Sequence, residues 1–80
     1  MTLKTFLNHS FGYEKIELLD FISGKILFEG DNFMLSKRVK NNITPNYKIV
    51  NIRSCITREI IDNDDTEEMI SGFVIQVKRI

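Results

Sequence analysis

The chain has 80 residues, of which 42% are apolar and 28% charged, the proportions of a folded domain and not of a disordered tail. Eleven Lys and Arg balance eleven Asp and Glu, which excludes the overall basicity common among nucleic-acid-binding domains. A single cysteine, Cys55, excludes an internal disulfide, and with a single histidine, His9, it cannot complete a structural zinc tetrahedron.

Thr2 is placed to cap a short helix, its hydroxyl accepting from an orphan N–H. Leu3, Phe6 and Leu7 then share one face at i, i+3, i+4 spacing. Asn8 and Gly12 bracket its exit. A helix this short must dock on another element to persist in water. From Tyr13 the period changes. Lys15, Ile16, Glu17 and Leu18 alternate polar and apolar, as a half-buried strand does. Residues 21–24 read as a turn in which Gly24 can take positive φ. Residues 25–29 return as a second strand that closes at Gly30, so the pair predicts a β-hairpin.

Asp31 or Asn32 can cap a second helix, with Leu35, Val39 and Ile43 at i, i+4, i+8 and Lys37, Arg38 and Lys40 off that face. Thr44 and Pro45 stop it, because proline supplies no backbone donor and biases its predecessor away from helix. Residues 47–61 are β-rich, with Val50, Ile52, Ile56 and Ile60 in one phase. After an acidic stretch at 62–68, read as a hairpin loop, Phe73, Ile75 and Val77 alternate as a final strand. The expected order is α-β-β-α-β-β. The expected fold is α+β, an antiparallel sheet from two hairpins with two short helices on one face, in one domain over residues 1–80.

A domain of this size buries only about 60–65% of its unfolded surface, which makes self-association a natural way to bury more. The N-terminal residues lack the apolar run of a signal peptide, and no stretch approaches a membrane span. With the lone cysteine, this points to a complete, soluble chain of a reducing cytoplasm. Twelve Ile, seven Asn and seven Lys, with no Ala and no Trp, match A/T-rich codon usage and so a low-GC bacterium or its phage.

The charges are sorted by position. From Asn32 to Arg58 there are six bases (Lys37, Arg38, Lys40, Lys48, Arg53, Arg58) and no acid. From Glu59 to Glu68 there are six acids (Glu59, Asp62, Asp64, Asp65, Glu67, Glu68) and no base. Segregated charge on a neutral chain suits recognition of a charged partner. The acidic segment, with Asp62, Asp64, Asp65, Glu67 and Glu68, is the first candidate contact element, and a solvated hairpin tip accounts for it as simply. Asp62, Asp64, Thr66 and Glu68 also place oxygens at alternate positions, as a calcium loop does. Glu67 and Phe73, however, stand where that loop needs its Gly and its bidentate Glu. The basic residues form a second candidate patch, to which Phe33 and Tyr47 add stacking groups for nucleic acid. Cys55, mid-strand beside Ile56, reads as a half-buried filler and His9 as a helix-end residue. Ser23-Gly24-Lys25 lacks both phosphate-loop patterns. No catalytic constellation, cofactor or metal site emerges.

The opening Thr2-Leu3-Lys4-Thr5-Phe6-Leu7, the segment Glu14-Lys15-Ile16-Glu17-Leu18 and the hairpin from Asp20 to Gly30 resemble short uncharacterised proteins carried by phages and mobile elements of low-GC bacteria. That class includes inhibitors of host defence, anti-CRISPR proteins among them, which act by stoichiometric binding. The resemblance implies a host protein as partner and assigns no residue. The resulting expectation is a non-enzymatic interaction protein. Two others stand beside it: a nucleic-acid-binding accessory protein using the basic 37–58 segment, and a structural homodimer paired through a strand edge.

Overall fold

The computed structural model describes residues 1–9, 13–60 and 67–80, with the backbone alone for 56–60 and 67–70. The elements are α1 (Leu3–Asn8), β1 (Lys15–Asp20), β2 (Ile26–Asp31), α2 (Asn32–Lys40), β3 (Lys48–Ile60) and β4 (Glu67–Lys78). This is the α-β-β-α-β-β order that periodicity predicts. The sheet is not the antiparallel one expected. Its spatial order is β2-β1-β4-β3, and β4 inserts beside β1 in parallel, from Lys15↔Gly72 to Asp20↔Val77. The two hairpins thus join through a parallel seam, and the sheet is mixed. The physical consequence is burial: with a neighbour on each edge, the two central strands place Ile16, Leu18, Ile75 and Val77 out of water.

Ile16 and Leu18 of β1 and Ile75 and Val77 of β4 are buried on one face of the sheet. They pack with Phe28 of β2, Leu3 and Leu7 of α1, and Leu35 and Val39 of α2. Phe6 meets Phe73 edge to face at 5.3 Å between ring centroids, fastening α1 to β4. The alternate residues, among them Glu17, Val74, Gln76 and Arg53, lie on the opposite face, which no helix among the described residues covers. There Asn51 Nδ2 donates to Gln76 Oε1 at 3.2 Å.

A six-residue helix is too short to hold itself together, and α1 is held from outside. Leu3 N–H donates to the Tyr47 carbonyl at 2.8 Å, and Lys4 N–H to Asn46 Oδ1 at 2.8 Å. Thr5 N–H donates to Thr2 Oγ1 at 3.3 Å, as the sequence predicts. The first-turn N–H groups that a helix cannot satisfy internally therefore find acceptors. Ile49 N–H donates to the Met1 carbonyl at 2.9 Å, and Thr2 bridges Lys48. The start of the chain thus closes the outer edge of β3 near its beginning.

Asp31 caps α2, its Oδ1 accepting from Met34 N–H at 2.7 Å. Asn32 is buried and ties α2 to the start of β1: its N–H donates to the Glu14 carbonyl, and its Oδ1 accepts from Glu14 N–H. The C-terminus of α2 comes earlier than Ile43. Asn42 takes φ 59, its N–H donates to Val39 O, and Ile43 N–H donates to Arg38 O at 2.9 Å. These paired bonds form a Schellman stop with Asn in the left-handed position. Ile43 is consequently 62% exposed and does not continue the Leu35–Val39 face.

The β1–β2 turn carries Gly24 at φ 73. Ser23 Oγ donates to Asp20 Oδ2 at 2.6 Å, and Ser23 N–H to the same oxygen at 3.2 Å. The hydroxyl bond foremost, with backbone bonds from Ser23 and Ile22, holds the Asp20 carboxyl below its usual range against a smaller desolvation effect. The folded value lies below the unfolded one, about 3.9. The group's stabilisation is therefore complete above that pH and is lost as pH falls through the lower folded value. In Ser23→Ala the Asp20 carboxyl resonance, followed by NMR, is expected to titrate at higher pH than in the parent.

Gly72 is the tightest point of the seam. A Cβ built there would stand 2.7 Å from the Lys15 carbonyl oxygen, a backbone atom that cannot swing aside. Gly72→Ala is expected to lower unfolding stability by about 1–3 kcal/mol, read from the midpoint of a urea titration. The variant must also shift β1 or β4, and loss of amide protection at Ile16 and Leu18 reports that shift.

Candidate functional site

Of the acidic candidates, Asp62, Asp64 and Asp65 lie outside the described residues. Glu67 and Glu68 do not belong to the loop: they are the first residues of β4. The antiparallel register sets Glu68 opposite Glu59 and Glu67 opposite Ile60. The β1 ladder stops at Lys15↔Gly72, so residues 56–60 and 67–71 continue as a two-stranded arm that, among the described residues, no third strand joins. At about 3.4 Å per residue, five residues carry the acidic end roughly 17 Å past the last three-stranded row.

The six basic candidates do not share one face. Lys37 and Lys40 are exposed on α2, in the helical layer. Arg53 is exposed on the bare sheet face, opposite Val74 and one residue on from the core-facing Ile52. Lys48 is exposed at the start of β3, opposite Lys78. Arg58 stands opposite Met69 on the arm.

Arg38 is half-buried. Its guanidinium lies 5.7 Å from the centroid of the Phe28 ring, and its Nε donates to Thr44 Oγ1 at 3.0 Å. Thr44 is itself buried, and its N–H donates back to the Arg38 carbonyl. Arg38 thus covers the core and closes the turn after α2. Of the two stacking candidates, Phe33 is 62% exposed on α2, whereas Tyr47 is half-buried against the core.

His9 is the C-cap residue of α1, exposed, with Nδ1 2.8 Å from the Thr5 carbonyl. A carbonyl only accepts, so Nδ1 carries the proton in this contact. Cys55 is half-buried on the bare face opposite Gly72. It lines a hollow of about 460 Å³ with Lys15, Glu17, Glu29 and Val74. A histidine capping the helical layer and a cysteine on the bare face stand on different sides of the sheet.

One site is absent from the sequence reading. Between α1 and α2 a cleft of about 410 Å³ is lined by Lys4, Leu7 and Asn8 from one helix and Ser36, Val39 and Lys40 from the other. Lys4 and Asn8 are one helical turn apart, as are Ser36 and Lys40. That spacing is legible along each helix, but the adjacency of the two helices is not. Neither α1 nor α2 contains an acidic residue, so the helical layer is cationic although the chain is neutral. Among the described residues no helix is long and apolar enough to cross a membrane.

Comparison with protein-family models, with curated proteins and with solved structures finds no match.

The contrast between Arg38 and its neighbour is measurable. Arg38→Ala is expected to cost about 1–2 kcal/mol of unfolding stability, through the lost ring contact and the unpaired Thr44 hydroxyl. Lys37→Ala, at an exposed position, is expected to stay within about 0.5 kcal/mol in the same urea titration.

Proposed function

We propose that the chain is a non-enzymatic protein-interaction module that offers the acidic end of the β3–β4 arm to a cationic cleft on a partner protein. The observation that carries this reading is the register of Glu59 against Glu68, with Glu67 next in line. Asp62, Asp64 and Asp65 follow in sequence between the two strands. Like charges directly opposite one another weaken an antiparallel ladder by roughly 0.2–1 kcal/mol. An arm that keeps such a pair where neutral residues would be more stable gains from a partner that neutralises it. Its reach beyond the sheet suits insertion into a cleft, and clustered lysines or arginines in that cleft would speed encounter by electrostatic steering.

Clefts of that kind serve nucleic-acid-handling proteins. The most concrete form of the proposal is therefore a stoichiometric inhibitor of such a protein in a low-GC bacterial host. In this form the arm occupies the surface that nucleic acid would otherwise use.

The test is capture of prey on the purified chain from a low-GC bacterial lysate, with and without nuclease, followed by titration of any protein recovered. Binding is expected to survive nuclease and to weaken as salt rises. It is expected to fall about tenfold or more when Asp62, Asp64, Asp65, Glu67 and Glu68 are replaced by Asn and Gln. Unchanged affinity of that variant would sink the arm as the contact. Recovery of nucleic acid alone would favour the accessory-protein reading through Lys37, Lys40 and their basic neighbours.

A further inference from the structure

We infer that the cleft between α1 and α2 is a binding site for a phosphate ester, with the phosphate held between Lys4 and Lys40. Three observations carry this. Every polar side chain on the walls can donate, the Lys4 ammonium and Asn8 amide from α1 and the Ser36 hydroxyl and Lys40 ammonium from α2, and no carboxylate is among them. Neither lysine head group has a hydrogen-bond or ion-pair partner among the described residues. No acid on either helix competes for them.

Two positive charges match a phosphate monoester, which carries between one and two negative charges at neutral pH. Its several acceptor oxygens can use donors from both walls at once, where a carboxylate offers only two oxygens. The floor is Leu7 and Val39, both buried and apolar. A site of this make-up takes an anion attached to an organic body, with the body lying over the two side chains. The volume, about 410 Å³, falls within the range of small-molecule clefts, roughly 300–1,000 Å³. The ester can come from a free phosphorylated metabolite or from the phosphates of an oligonucleotide. What the two sources share is the set of non-bridging phosphoryl oxygens; a free monoester carries up to two negative charges, and each internal phosphodiester of an oligonucleotide carries one.

The site is separate from the acidic arm, so its test is independent of the arm's partner. Backbone amide shifts would be followed by NMR while the protein is titrated with a nucleoside 5′-monophosphate, with a short single-stranded oligonucleotide lacking terminal phosphates, and with sodium chloride at matched ionic strength. Shifts centred on Lys4, Asn8, Ser36 and Lys40 are expected with at least one phosphate probe and not with chloride. Tighter binding of the monophosphate identifies a free ester, and tighter binding of the oligonucleotide identifies chain phosphates. The double variant Lys4→Gln, Lys40→Gln is expected to bind roughly tenfold more weakly or worse. Both residues are exposed, so the variant should keep the parent's melting temperature, and its amide spectrum shows directly whether it is folded. Lys37→Gln, on the same helix but outside the cleft, is the charge control and is expected to bind as the parent does. Shifts reproduced by chloride, an equal loss in Lys37→Gln, or unaltered binding by the folded double variant would each overturn the inference.

Discussion

Side by side, β1 and β4 each gain a neighbour on both edges. Each hairpin alone is a two-stranded ribbon with one apolar face, and such a ribbon is marginal in water. When Ile16 and Leu18 come level with Phe73 and Ile75 across the seam, the two apolar faces merge into a floor broad enough for both helices. Burial of a Leu or Ile side chain is worth about 1.5–3 kcal/mol, so the seam accounts for much of what a small domain can gather. It works because Gly72 lets the β4 backbone approach the Lys15 carbonyl. The helices, the cleft between them and the arm beyond β1 all take their positions from that contact.

The seam also determines where charge is displayed. Because β3 continues past the end of β1, its partner β4 must do the same, and the acid-rich residues ride on the part of the hairpin that leaves the sheet. The helices sit over the apolar floor, and their polar residues face away from it. Lys4, Lys37 and Lys40 therefore gather in one layer while Glu17 and Glu29 stand opposite each other on the bare face. Blocks of charge along the chain do not stay together in the fold: strand parity puts Arg53 on the bare face while Lys37 and Lys40 stand on α2.

Local features were readable from residues alone. Thr2 and Asp31 cap their helices because their side-chain oxygens reach the first free N–H groups. Gly24 turns the first hairpin because a turn there needs positive φ. Leu3, Leu7, Leu35, Val39, Ile75 and Val77 are buried as their spacing requires. What spacing cannot give is a neighbour. The alternation of Phe73, Ile75 and Val77 is the same for an edge strand and a central one, and for parallel and antiparallel pairing, so the mixed sheet left no mark on it. Ile43 kept helical spacing after the backbone had already reversed at Asn42. The break between Ile49 and Asn51 shifts phase within β3 and leaves Val50 exposed. The six bases look like one patch only until strand parity and the Phe28 ring divide them. Lys4 escaped notice because its partners lie on a helix some thirty residues away.

The parallel seam also orders the events of folding. Residues in each hairpin meet after closing short loops, whereas Lys15 and Gly72 must meet across most of the chain. Loop-closure entropy makes such a long-range pairing the late and slow one. The ensemble just before it would consist of two preformed ribbons, each with a bare apolar flank and an unpaired central edge. At high protein concentration that flank can find the corresponding edge of another molecule instead of its own. The glycine that makes the native union close thus stands at the step where productive folding and misassembly part.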